Sequence, residues 1–244
     1  MIDVVADGPI TLADMAARLN LSRSTVHRLA SALIERRYLT FVPRLGYQLG
    51  PRLLALGHQA QQRTDIVQVS RPHLETLASV SEDTVHLAVL DRDCALYLAK
   101  IPGRRRVNIS SRVGERQPLT STGVGKALLI DDEPDRWRKL FADDHASAPS
   151  SESEEAWLKR MQSYAEAGYA LDLEENEDMI RCVAAPIRGA SGSILAAISV
   201  SSAAQYMSDE RMEVLLDDVT ATARMISADM GWSEEVARDG RHAR

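Results

Sequence analysis

The chain carries only two cysteines, Cys94 and Cys182, far apart and outside any CxxC pair, so neither a disulfide framework nor a cysteine-based zinc site organises it. It lacks any apolar run near the roughly 18 residues that a membrane span needs. No basic segment leads into a long apolar stretch at its start. A soluble, reducing, cytoplasmic setting with no membrane partner is therefore expected. Catalytic signatures are missing too. "TSTGVGKA" has the outline of a phosphate-binding loop, but Thr120 stands where that motif needs glycine and Ala127 where it needs the magnesium-binding Ser or Thr. His27, His58, His73, His86, His145 and His242 form no HExxH or finger spacing, and there is no GxSxG elbow. The carboxylates of "DLEEN" read more economically as a solvated turn than as an acid/base pair. No catalytic residue, metal or cofactor is expected, and no repeat period or long low-complexity run suggests a solenoid.

What is present is an ordinary globular composition, 45% apolar and 26% charged, in 244 residues. That length suits a small domain followed by a larger one, with order expected outside the last ten residues or so. The net charge of -6 hides a segregation. From Met1 to Arg63 eight arginines face Asp3, Asp7, Asp14 and Glu35, giving +4 and leaving -10 for the remainder. A basic head on an acidic body fits a DNA-binding module joined to a body that does not bind DNA.

The segment "ITLADMAARLNLSRSTVHRLASALIERRYL" splits into two helices around a tight turn. Thr11 caps the first, with Asp14 in its opening turn and Leu12, Met15, Ala16 and Leu19 on one face. After Asn20 and Leu21, Ser22 caps a second helix whose Val26, Leu29, Ala30, Leu33 and Ile34 share a stripe. Its opposite face offers Arg23, Ser24, Thr25, His27 and Arg28, the donor-rich types a major-groove reading helix needs near its N-terminus. "YLTFV" and "YQL" around Pro43 and Gly46 predict a hairpin wing, with Arg44 at its tip to touch phosphate. Residues Ser22 to Thr25, His27, Arg28 and Arg44 are thus the candidate DNA contacts. The expected domains are a winged helix-turn-helix over 1–50, a linker helix over 51–64 and an α+β domain over 65–244, with Pro72 breaking the helical stretch from Pro51 to about Ser79.

Beyond Glu82, strands are expected at "TVHLAVL", "CALYLAK", "VNISSRV", "YALDL", "VAAPI" and "SILAAISVS". Helices are expected near Gly123, around Asp135 to Ala167 with "SAPSSESEE" as a loop, and after a Ser208 cap, where Met212, Leu215, Leu216, Val219, Ile226 and Met230 form one face.

"SRSTVHRLASALIERRYL…YQLGPRLLALG", "GERQPLTSTGVGKALL" and "GYALDLEEN…CVAAPI…GSILAAISVS" together resemble the IclR family of bacterial regulators over nearly the whole chain. The resemblance implies a winged head, a linker helix and a GAF-like effector-binding domain, assembled as a homodimer or homotetramer on a pseudo-palindromic double-stranded DNA operator. It implies a repressor of catabolic genes, relieved or modulated by a small organic acid. The competing reading is a small-molecule-binding protein or enzyme whose head is only a docking module. Matching motif positions places the effector against Gly123, Val124, Asp172, Cys182, Ser199 and Ser201. Backbone N–H groups near Gly123 and Val124 would receive a carboxylate, and Ser199 and Ser201 alternate onto one strand face. Asp172 would then favour a hydroxylated or carbonyl-bearing acid. Leu87, Val89, Leu98 and Ile109 are read as core, and Cys182 as buried and inert. Met179 stands where the family often has glycine and is expected to reshape the pocket rim. Only Met1 to Asp7 precede Gly8, fewer residues than the family's first helix, so a short helix or a truncated start, and a less stable head, are expected.

Overall fold

In the computed structural model, which describes residues 1–63, 65–107, 109–147 and 152–233, the chain divides into two units, Met1–Asp65 and Ile66–Arg244. The last eleven residues, Asn108 of "VNISSRV", Thr64 of the linker segment and residues 148–151 of the "SAPSSESEE" loop lie outside the described residues.

The first unit comprises α1 (Ile2–Ala6), α2 (Leu12–Leu19), α3 (Arg23–Glu35), β1 (Leu39–Val42), β2 (Gly46–Leu49) and α4 (Pro51–Arg63). Thr11 starts α2 reciprocally: its hydroxyl oxygen accepts the Asp14 N–H at 3.2 Å, and its O–H donates to the Asp14 carboxylate at 2.6 Å. Asn20 ends that helix at φ 52°, the left-handed region asparagine tolerates, and donates to the carbonyls of Ala16 and Ala17. Ser22 then accepts the Thr25 N–H and opens α3. β1 and β2 form an antiparallel hairpin, to which Ile10 adds two backbone bonds with Tyr47. Met15, Val26, Ala30 and Leu39 fill the core beneath, and even the five-residue α1 buries Val5. Leu29 departs from the expected stripe: it is 41% exposed, at the stripe's edge, while Val26 and Ala30 at its centre are fully buried.

The second unit is an antiparallel six-stranded sheet in the order β5-β4-β3-β8-β7-β6, with helices on both faces. Its strands are β3 (Thr84–Asp91), β4 (Cys94–Ile101), β5 (Arg116–Gln117), β6 (Ala170–Leu173), β7 (Ile180–Arg188) and β8 (Ile194–Ala203). α5 (Ile66–Ser81) and α9 (Asp209–Asp229) cover one face through Leu74, Leu77, Leu215, Val219 and Ile226. α6 (Gly123–Leu129), α7 (Pro134–Ser147) and α8 (Glu154–Ala167) cover the other through Val124, Trp137, Trp157 and Met161. The period-two alternation of strands sorts β8 cleanly, sending Ile198 and Val200 to the first core and Ala197 to the second.

Two expectations are corrected. Pro72 does not break the helical stretch but lies inside α5, because Leu74, Leu77 and Ala78 beyond it are buried on the sheet and α9, which offsets the roughly 3 kcal/mol that an interior proline costs. "VNISSRV" forms no strand among its described residues. It is held instead by side chains, Lys100 Nζ donating to the carbonyls of Ile109 (2.7 Å) and Ser111 (2.8 Å).

Candidate functional site

At the edge of the α6 core the sheet face turns polar. Ser199 and Ser201 follow Ala197 on the same face of β8, and β3 lies alongside with His86 directly opposite Ser199. The His86 ring is 1% exposed, with Nε2 2.7 Å from Ser111 Oγ and Nδ1 3.4 Å from Ser201 Oγ. Burial, with the nearby Lys100 charge, lowers its pKa to about 3, so it is a neutral hydrogen-bonding strut. Tyr97 of β4 packs against it at 4.8 Å between ring centroids.

These groups face the start of α6. Thr122 caps that helix, accepting the Gly125 N–H at 3.1 Å and donating to the Pro118 carbonyl at 2.7 Å. Gly123 lets the helix lie directly on β7, since a Cβ there would stand 2.5 Å from Cys182 Sγ. Burial pushes the Cys182 thiol up, which keeps it protonated.

Between them lies a cavity of about 260 Å³. Gly123, Val124, Asp172, Cys182, Ser199 and Ser201 all line it, so residues separated by nearly eighty positions meet at one place. Sequence reasoning missed His86, Tyr97, Ser111, Asn176 and Glu177, which also line it. The one available signal was His86 itself, a polar residue alternating with Val85 and Leu87. Of the four residues assigned to the core, Leu87, Val89 and Leu98 pack on the opposite sheet face, but Ile109 lines the cavity. Met179 does not line it. It is 59% exposed at φ 63°, a left-handed conformation that glycine takes without strain.

Asp172 is 4% exposed, and its carboxylate accepts the Glu175 N–H at 2.9 Å. Desolvation raises its pKa to about 6, against the opposing pull of Lys126. Lys126 is wholly buried on α6 and is paired with Glu175, which also binds Arg160. Because the folded pKa of Asp172 exceeds its unfolded value of 3.8, the folded state holds extra proton between about pH 4 and 6, and stability falls as pH rises through that window. Above it the ionised carboxyl costs up to about 3 kcal/mol. Asp172→Asn keeps an oxygen for the Glu175 N–H, so it should stabilise the chain by up to that amount at pH 7.5 and leave it unchanged at pH 4. Urea denaturation at the two pH values checks this.

In the first unit, Arg23, Ser24, His27 and Arg28 are exposed on one side of α3, while Thr25 is half-buried. The Ser22 hydroxyl is engaged locally, within 2.9 Å of Ser24 Oγ and 2.8 Å of Thr25 Oγ1, and so shapes the helix start. Arg44 is exposed in the hairpin turn at φ 71°.

Comparison with known proteins places both units. The family model described as "Bacterial transcriptional regulator IclR C-terminal" matches residues 58–228, and that of the "IclR helix-turn-helix domain" matches residues 5–43. The HTH-type transcriptional regulator KdgR of Escherichia coli is 30% identical over 232 residues, covering 92% of this chain and 87% of that protein. The HTH-type transcriptional regulator BhcR of Paracoccus denitrificans is 32% identical over 240 residues, covering 94% and 84%. Among solved structures, the Agobacterium tumefaciens repressor BlcR superposes with a TM-score of 0.80 at 26% identity, covering 95% of this chain and 93% of that one.

Proposed function

The chain belongs to the IclR family of bacterial transcription regulators, and from that membership we propose that it is a repressor whose hold on its operator is set by a small organic acid in the cavity of the second unit. The convergence of all six motif-matched residues on one cavity carries this reading. Its hydroxyl and amide groups suit an acid that also bears hydroxyl or carbonyl groups, and its volume equals that of roughly nine waters.

On the DNA side, Arg23, Ser24, Thr25, His27 and Arg28 enter the major groove, Ser22 holds the start of the reading helix, and Arg44 meets phosphate. A homodimer or homotetramer presents paired α3 helices to a pseudo-palindromic operator, with the domain limits near 1–50, 51–64 and 65–244. Effector and DNA then oppose each other by the same factor, 5 to 150-fold for couplings of about 1–3 kcal/mol.

A gel-shift assay on DNA upstream of neighbouring genes, with and without candidate acids, tests the whole reading. Failure to retain any DNA fragment would leave the head as a docking module. In titrations at several salt concentrations, Arg44→Ala should reduce the slope of log affinity against log salt by about 1. Arg23→Ala should instead relax preference at one base pair by about 1–3 kcal/mol. A slope and a base preference that both stay at wild-type values would contradict the assignments.

A further inference from the structure

The cavity has a charge problem for an anion. Asp172 and Glu177 both line it, and among the described residues no lysine or arginine does. Lys126, whose charge is felt at Asp172, does not itself line the cavity and is paired with Glu175, and Arg160 reaches the same Glu175. Lys100 donates to the Ile109 and Ser111 carbonyls, and His86 is a neutral strut between Ser111 and Ser201. The remaining ionisable neighbours, Cys182 and Tyr97, are held in their neutral, protonated forms by burial. A ligand carboxylate entering here meets two carboxylates and no free positive side chain. Glu177 is partly relieved because Ser110 donates to it at 3.0 Å, at the exposed side of the site. Asp172 is buried, and although it accepts the Glu175 N–H, desolvation outweighs that relief.

We propose that an acid effector binds this cavity together with one proton, taken from solvent and lodged on the Asp172 carboxyl, which then donates a hydrogen bond to the ligand. Ligand anion and proton enter as a neutral pair, so the charge of the site is unchanged. Asp172 thereby turns from a repelling acceptor into a donor, as a protonated carboxylic acid does in some enzyme sites. The raised affinity of Asp172 for a proton in the free protein makes the uptake readily reached, and an anion beside it raises that affinity further. The inference rests on the acid reading of the cavity and adds that operator release strengthens as pH falls.

With a competent fraction set by a group titrating near pH 6, an acid should bind roughly 50-fold more tightly at pH 6 than at pH 8. The test is calorimetry on the full chain with gluconate, pyruvate and 4-hydroxybenzoate as probes, with sorbitol as a neutral control. Measurements at pH 6 and 8, repeated in buffers of different ionisation enthalpy, count the protons taken up. The expected result is close to one proton per bound acid at pH 8. Asp172→Asn should abolish both the uptake and the pH dependence, and Glu177→Gln should keep both. Binding of an acid without proton uptake by the wild-type chain overturns the proposal and leaves the acid reading standing. If none of the three acids binds at either pH, or sorbitol binds in their place, the acid reading itself falls and the proposal with it.

Discussion

Glu175→Leu is expected to destabilise the second unit by about 3–5 kcal/mol, while Lys126→Met at the other end of the same ion pair costs only about 1–2 kcal/mol. The asymmetry follows from what each removal strands. Without Lys126, Glu175 retains Arg160 and is 19% exposed, so its charge stays paired and partly hydrated. Without Glu175, the Lys126 ammonium stays fully buried, with the Tyr164 ring 6.0 Å away and only a longer-range interaction with Asp172, outside ion-pair distance. A buried charge without its partner costs far more than the pair contributes. The loss also removes the side chain that accepts the Leu173 N–H, loosening the turn that carries Asn176 and Glu177 to the cavity. Trp137, Trp157 and Trp232 are the only tryptophans and all belong to the second unit, so urea denaturation followed by their fluorescence reads this unit alone. The double variant Lys126→Met with Glu175→Leu should recover most of the loss. Equal costs for the two single changes would show that Lys126 is not stranded.

Gly125→Ala tests packing against intrinsic preference. Within a helix, alanine is better than glycine by about 1 kcal/mol, and Gly125 sits in α6 at an ordinary helical conformation. Yet a Cβ there would stand 2.5 Å from the Leu119 carbonyl oxygen, 2.6 Å from Leu119 Cα and 2.6 Å from the Thr122 hydroxyl that caps the helix. Two of these are backbone atoms, which cannot rotate away. The change should therefore destabilise by about 2–3 kcal/mol and, by lifting α6 from Pro118 and Thr122, weaken effector binding at least tenfold while leaving operator affinity intact. A more stable variant with unchanged effector binding would mean that the loop ahead of α6 yields freely.

The sequence alone determined whatever is written in neighbouring residues. The caps at Thr11, Ser22 and Ser208 form as expected because a cap needs only a hydroxyl and an N–H three positions on. The hairpin around Pro43 to Gly46 and the shared face of Ser199 and Ser201 follow from turn chemistry and strand period in the same way. The motif-matched site residues were legible for a different reason, the resemblance to a family, and periodicity could not have chosen them.

Tertiary structure decided everything that depends on which distant segments become neighbours. The placement of β3 beside β8 sets His86 against Ser199 and Ser201, more than a hundred positions away, and so turns an apparent core strand into part of the cavity wall. Lys126 reads in sequence as one more polar residue near a helix start, and only the return of the chain through β6 gives it Glu175 and makes it a buried charge. Pro72 stays helical, and the Ile109–Ser111 segment stays out of the sheet, because burial and side-chain donors outweigh local propensity there. Propensity acts over about four residues and amounts to less than about 1 kcal/mol at each ordinary position, whereas a desolvated charge or a closed core contact draws several kcal/mol from groups that only the completed sheet brings together.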